Sequence, residues 1–459
     1  MIRETLAPLR LAGFRMLLAG RTINAFGNAF APLALAFAVL DLTGSATDLG
    51  VVVGARTLVN VVFLLFGGAL ADRLPKNLLM VGSALAAAVT QGIVATLVLT
   101  DTATVPLLLG FGAVNGMVSA LSMPASSAIV PQLVPADLRQ QANGLGRLAF
   151  NGAAIIGAPI GGVVVASVGP GWGIVVDAAT FLLAALCFAL VRIPATTAPP
   201  STTPPATTAP PPTTPPAATE ADQPAGALIG AEQTAGEPVA PPPARPNILT
   251  DLRTGWSEFI ARTWLWVVVA GFCVVNAALS GGFMVLGPVI ADQTFGRQAW
   301  GFVLAAETAG MIIGAVLAMR VRLRRLLFFG VVCTAFEALP LLTLGVFPHV
   351  GVMLAAGFIA GLAIEQFGIA WETTMQEHVP ADKLARVYSY DMVGSFVAIP
   401  VGQTLAGPVA EAVGVEATLI GAAALIVLAV LGMLTSRDVR HLRHRLPSKD
   451  PAAMEELPA

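Results

Sequence analysis

The sequence predicts an all-α membrane protein of twelve transmembrane helices in two pseudo-symmetric six-helix bundles. Recurrent apolar runs, one-sided charge and an internal repeat carry that reading. Of 459 residues, 56% are hydrophobic and only 11% charged, with a mean hydropathy of +0.79. Soluble domains carry about 25% charged residues, and a bilayer core about 30 Å thick takes about 20 apolar residues per helix. Runs of that length occupy 17–41, 48–71, 77–100, 104–130, 143–168 and 172–192, then 264–290, 299–319, 326–347, 350–376, 388–410 and 416–436.

Charge orients these spans. Twenty-one of the 25 Lys and Arg fall in stretches that this topology places on one side. Arg21, Arg56 and Arg147 lie inside spans, and Arg297 alone falls on the far side. Lys and Arg are retained in the cytoplasm, so both termini and the central segment are expected there, in the cell inner (cytoplasmic) membrane. The first span can itself direct insertion, so no cleavable signal is required. Cys187, Cys273 and Cys333 are dispersed among spans and read as small apolar residues, with no disulfide or metal spacing.

Composition then sets the domains. Residues 1–193 form the first bundle. Residues 194–246 hold 16 of the 34 prolines, with repeated Thr, and read as a disordered cytoplasmic linker. Residues 247–436 form the second bundle. It opens with NILTDLRTGWSEFIARTW (247–264), whose helically spaced apolar residues predict an amphipathic lead-in helix on the membrane surface. Residues 437–459 form a cytoplasmic tail. The tetrapeptide VPAD occurs at 134–137 and again at 379–382, and at the same offset of 245 Gly162 matches Gly407 and Val168–Gly169 matches Val413–Gly414. A second echo aligns Arg56 in LGVVVGARTLVN with Glu307 in WGFVLAAETAGM. Six-span halves in one orientation follow the parallel-repeat plan of secondary transporters.

The stretch GGALADRLPKN (67–77) interrupts apolar sequence with a compact charged turn. Its small residues allow close helix approach, and Asp72 can pair with an Arg or cap a helix terminus in one conformation and release it in another. An ordinary positive-inside loop is the alternative. The equivalent turn of the second half, AMRVRLRRLLF (318–328), is basic and has no acid.

GGALADRLPKN resembles motif A of the major facilitator superfamily. FRMLLAGRTINAFGNAF (14–30), PASSAIVPQLVPADLRQQANGL (124–145), LTDLRTGWSEFI (249–260) and WETTMQEHVPADKLARVYS (371–389) resemble its branch of enterobactin exporters and macrolide efflux permeases. The likeness spans both halves. It implies the major facilitator fold, alternating access and export, with Gly68, Asp72, Arg73 and Lys76 as a conformational latch. Three departures bear on proton coupling. The Gly-Pro-x-x-Gly-Gly type of signature in span 5 reads GAPIGG (157–162), an arginine usual in span 4 of drug–proton antiporters is missing from 107–120, and Asn28 and Ser126 stand where the branch often has Asp and Arg.

A charge at mid-span costs about 2.5–3.5 kcal/mol on insertion scales, so each one calls for a reason. Arg21, Asn24 and Asn28 repeat at i, i+3 and i+7 as one polar stripe on span 1. They are candidates to line a substrate cavity, with Arg21 alternatively snorkelling to the cytoplasmic surface. On span 10, Glu365 and Glu372 share a face near Gln366 and Trp371. Glu365 is the candidate protonatable or cation-binding group, and Glu372, near the cytoplasmic end, is expected in a gate or loop network. Arg56 and Glu307 either meet across the pseudo-twofold axis as a gate pair or pair within their own halves. Arg147 is expected to partner Asp72 or loop acids, while Glu337 and Asp177 are expected to hydrogen-bond locally. On the resemblance, Asn115 and Asn276 belong to cavity-lining helices.

There is no phosphate-binding GK[ST] loop, no HExxH and no Cys/His metal spacing, so neither an enzyme nor a cofactor is expected, and no nucleic-acid partner. Without an ATPase module an ion gradient or the substrate's own gradient must supply the energy; one charge crossing 100 mV yields about 2.3 kcal/mol, or roughly fiftyfold concentration. The expected function is a proton-coupled antiporter that exports a small amphipathic drug, macrolide, siderophore or metabolite, working as a monomer in the bilayer and able to confer drug resistance. An importer of the same fold is the first alternative. A non-transporting receptor or scaffold using the Pro/Thr linker is the second.

Overall fold

The computed structural model describes residues 6–71, 75–135, 138–191, 256–318 and 323–444, with side chains except at 64–71, 76, 121–128, 131, 140, 381–382 and 385–386. Twelve long helices are found among them. The first half contains α1 (Ala12–Thr43), α2 (Ala46–Ala71), α3 (Lys76–Leu99), α4 (Val105–Leu133), α5 (Arg139–Val168) and α6 (Pro170–Ala189). The second contains α7 (Thr263–Gln293), α8 (Arg297–Ala318), α9 (Leu326–Val346), α10 (Val350–His378), α11 (Ala381–Val413) and α12 (Val415–Thr435). Over their described residues eleven of them are long and apolar enough to cross a bilayer, α4 contributing a shorter apolar stretch, Val105–Ala120, and no strand occurs among the described residues. The predicted linker lies outside the described residues, as do Asp72 and Arg73. Of the lead-in helix, residues 256–260 are described and helical.

The helices start and stop for local reasons. Gly44 closes α1 in the left-handed region (φ 65°), its N–H donating to the Leu40 carbonyl at 2.8 Å. The repeat seen in sequence reappears in backbone geometry. Gly169 and Gly414, its counterpart at the 245 offset, have φ of 91° and 92° at the α5–α6 and α11–α12 corners, a conformation that favours glycine. Three spans are irregular inside. A π-helical stretch at Ser280–Leu286 lies in α7, a 3-10 turn at Ala335–Glu337 in α9, and a break at 397–398 in α11 just before Pro400.

Each half packs as its own bundle. Small residues admit backbones at contact distance: a Cβ on Gly116 of α4 would lie 2.2 Å from the Arg56 carbonyl, and one on Gly361 of α10 would lie 1.9 Å from the Glu307 carbonyl. These glycines are themselves 245 residues apart, so α2–α4 and α8–α10 are the same joint made twice. Leu182, Leu183, Leu186 and Leu190 on α6 remain exposed along one face, as expected of a helix that meets lipid.

The ends of the molecule differ. The start of α1 and the end of α12 lie at one end, called here the terminal end; α1–α2 and α7–α8 turn at the other, the distal end. The halves meet where α2 packs on α11 and α5 packs on α8. Gly50 and Gly54 abut Gln403, Thr404 and Pro400, Gly407 abuts Thr47, and Gly162 and Gly301 bring α5 and α8 into backbone contact. Thr47 Oγ1 donates to Glu411 Oε1 at 2.6 Å. Arg297 completes the joint: its Nη1 donates to Asp41 Oδ2 at 2.9 Å, its Nη2 to Asp41 Oδ1 and its Nε to Asp292 at 2.6 Å. The guanidinium also lies over the Phe37 ring, 4.7 Å from its centroid. All these contacts fall in the distal halves of their helices.

Candidate functional site

The terminal half of the seam carries the polar side chains. Asn28 is exposed despite sitting mid-helix, and its Nδ2 donates to Asn24 Oδ1 at 3.3 Å, one turn earlier on α1. Arg21 and Asn24 turn into a cavity of about 300 Å³ in the first half, whose polar lining includes Asn60, Ser83 and Ser119 and whose aromatic lining is Phe150, Phe181 and Phe188. Of the stripe on span 1, Arg21 and Asn24 share this cavity, and Asn28 is exposed one turn beyond Asn24. Gly20 and Gly27 on the same helix rest against Phe188 and Thr180, which sets α1 close to α6.

Across the seam, Glu365 of α10 is half-buried and lies within electrostatic reach of Arg147 of α5 and of Glu372 on its own helix. Arg147 and Glu372 are both exposed. Arg147 was expected beside Asp72 or loop acids; Asp72 lies outside the described residues, and the acid whose field Arg147 shares comes from the opposite half. Three charges from two halves thus share one open stretch.

Arg56 and Glu307 each lie in the field of an acid of their own half, an opposite charge for Arg56 and a like charge for Glu307. Arg56 is buried in the field of Asp177, and Glu307 in that of Glu337. Each is also held with its backbone against a glycine of its own half, Gly116 of α4 or Gly361 of α10. Asp177 is fully buried and accepts from Gln91 Nε2 at 2.5 Å, a partner on α3 and not the local backbone expected for it.

Gln366, expected to face the cavity, is buried and donates through Nε2 to the Gly314 carbonyl at 2.6 Å. Its place is a strap between α10 and α8, because one residue past Glu365 a helical side chain points roughly 100° away. Asn115 is also buried, 2% exposed, and neither of its amide atoms has a hydrogen-bond partner among the described residues. Asn276 does line a pocket, in the second half, while donating to the Ser395 carbonyl at 2.9 Å. Of the expected latch, Asp72 and Arg73 lie outside the described residues; Gly68 and Lys76 fall in α2 and α3, and their side-chain positions are outside them too.

Several residues went unweighed in sequence. Asp391 on α11 accepts from Trp371 Nε1 at 3.0 Å and Ser395 Oγ at 3.2 Å. It stands three residues inside a predicted span, a costly position that was signal enough. Asp41 and Asp292 carried a weaker signal as acids near the one far-side cation, Arg297.

A sequence-family model described as Major Facilitator Superfamily matches residues 17–402. The multidrug efflux pump Tap of Mycolicibacterium fortuitum is 26% identical over 430 residues, which span 90% of this chain and 91% of Tap. Among solved structures, a bacterial homologue of the human lysosomal transporter Spinster, inward-facing and unoccupied, covers 96% of this chain and 100% of its own, with a TM-score of 0.66 at 14% identity. The nucleoside transporter NupG covers 92% of this chain and 98% of its own, with a TM-score of 0.67 at 11% identity. These structural likenesses concern the fold.

Proposed function

The chain belongs to the major facilitator superfamily, and from that premise we propose that it is a secondary active exporter of a small amphipathic compound. It is a multi-pass membrane transporter, with a small molecule as cargo. The observation that carries the proposal is the two-ended seam. The halves are clasped distally through Arg297, Asp41 and the α2–α11 and α5–α8 glycines, while Asn28, Arg147, Glu365 and Glu372 stand along the terminal half. With both termini in the cytoplasm, as the Lys and Arg distribution supports, this is an inward-facing state that takes its cargo from inside.

In the export cycle, apolar walls supply affinity and a few polar groups orient the ligand. Asn24, Asn28 and Arg21 do so from α1, and Asn276 from α7. Glu365 takes up a proton from outside and returns it inside, and Arg147 stands opposite it on α5. Asp72 and Arg73, with Gly68 and Lys76, stabilise the state closed at the cytoplasmic end, so Asp72→Asn slows turnover at unchanged protein level. The likeness to an efflux pump supports export over import. Vesicles decide the direction. Everted membranes with an acidified lumen, from which protons run outward, should accumulate a dye or drug cargo, and right-side-out membranes should not. Accumulation only in right-side-out vesicles identifies an importer.

A further inference from the structure

The pocket of the second half sets a carboxylate among aromatic faces, and nothing in the seam's mechanics requires it. Its volume is about 270 Å³, between α7, α10 and α11. Phe272 and Phe367 stack across two helices with centroids 4.0 Å apart at 21°, and Phe367 continues to Trp371 at 5.9 Å and 18°. Asp391 enters from α11, held by the Trp371 indole N–H and the Ser395 hydroxyl. Both donors are neutral, so they fix the carboxylate's position without cancelling its charge. Among the described residues no ion pair includes Asp391.

The mouth can be placed from one residue. Gly368 is exposed, and a Cβ there would meet nothing within 4 Å. It lies three residues after Glu365 and four before Glu372, so it shares their face, and the pocket opens toward the seam.

We propose that this pocket is a binding subsite for an organic cation: an amphiphile whose quaternary or protonated ammonium group is joined to an aryl ring. The inference rests on the transport reading and names a substrate class for it. The chemistry selects against the alternatives. An anion meets the Asp391 charge. A hydrated metal ion wants six or more oxygen ligands, which aromatic walls do not offer. A neutral aliphatic ligand would seal a carboxylate from water with no opposite charge, a costly outcome. A weakly hydrated organic cation pairs with Asp391 and lies against ring faces at once. The volume is at the lower end for small-molecule sites, so the subsite takes the charged head and one or two rings while the remainder of a larger cargo lies in the seam.

The test is direct binding to the purified full-length chain in lipid nanodiscs, with benzyltrimethylammonium as probe and neopentylbenzene as its uncharged isostere. The wild type should bind the cation saturably. Asp391→Asn should weaken it at least tenfold and change the isostere less than twofold, whereas Asp391→Glu should stay within threefold. Gly368→Leu, which fills the mouth without meeting the backbone, should weaken the cation as well and decides the matter if Asp391→Asn does not fold. Absence of cation binding to wild type, or wild-type affinity in both Asp391→Asn and Gly368→Leu, overturns the subsite. Efflux measured in cells separates this from the transport reading. Efflux without cation binding removes the subsite alone, and intact, Asp391-dependent binding in vesicles that move nothing removes only the transport reading.

Discussion

Glu365 is the residue on which coupling turns. It is half-buried, faces Arg147 across the seam and has Glu372 two turns along its own helix. If protons are exchanged there, Glu365→Gln should lower efflux at least tenfold and flatten its dependence on external pH. Efflux by that variant with an unchanged pH profile would assign coupling elsewhere. A second residue titrates at the membrane surface. Glu258, in the lead-in segment, accepts from Lys383 Nζ and from Arg262 Nη1 at 2.8 Å, and these donors hold its carboxyl below the usual value. A group depressed in the folded state stabilises above its unfolded pKa, about 4.3 for Glu, and that stabilisation is lost as pH falls through the folded value. Protection factors of residues 256–262, which divide out the intrinsic pH dependence of amide exchange, should therefore fall below about pH 4, and Glu258→Gln should remove that fall. Equal protection factors at pH 3.5 and 7 would show that the contact does not hold the segment.

Two classes of glycine joint carry different consequences. Gly116 lies against the Arg56 carbonyl inside the first half, whereas Gly50 lies against the Gln403 carbonyl of the other half, where a Cβ would sit 2.3 Å away. Overpacking the first is felt in every conformation, so Gly116→Ala should cost about 1–3 kcal/mol of stability, read as a lower thermal transition. Overpacking the second is felt only while the distal end is closed. Gly50→Ala should keep the thermal transition of the wild type and raise the population open at the distal end, read as solvent labelling of a cysteine placed at Thr47. Protection of that cysteine equal to wild type would contradict the assignment. The twelve helices and their repeat were legible in sequence because bilayer thickness and helical rise fix the length of a span, and because Gly169 and Gly414 mark the same corner twice. The joints were not. GxxxG spacing at 112–116 and 357–361 shows small residues but not which helix they admit. For the same reason Gln366 read as cavity-facing: composition places a polar residue on a helix, and only the neighbour, here the Gly314 carbonyl, settles its use.

At the scale of the whole molecule, the two halves form one device clasped at one end. The polar stripe of α1 and the acids of α10 could be read from their spacing, whereas the clasp needed the fold, since Asp41 and Arg297 are 256 residues apart. Arg297 makes two carboxylate contacts and one ring contact, and it is only partly exposed. Arg297→Ala should therefore shift the equilibrium toward the distally open state by about tenfold, the equivalent of 1.4 kcal/mol, with the fold intact. Distances between spin labels test the central claim most directly, with one pair across the terminal end at Leu148 and Leu317 and one across the distal end at Thr102 and Val346, all exposed. During turnover the terminal pair should shorten as the distal pair lengthens, and Arg297→Ala should populate that second arrangement at rest. If both distances hold constant while cargo still crosses the membrane, the two halves do not rock and the account fails.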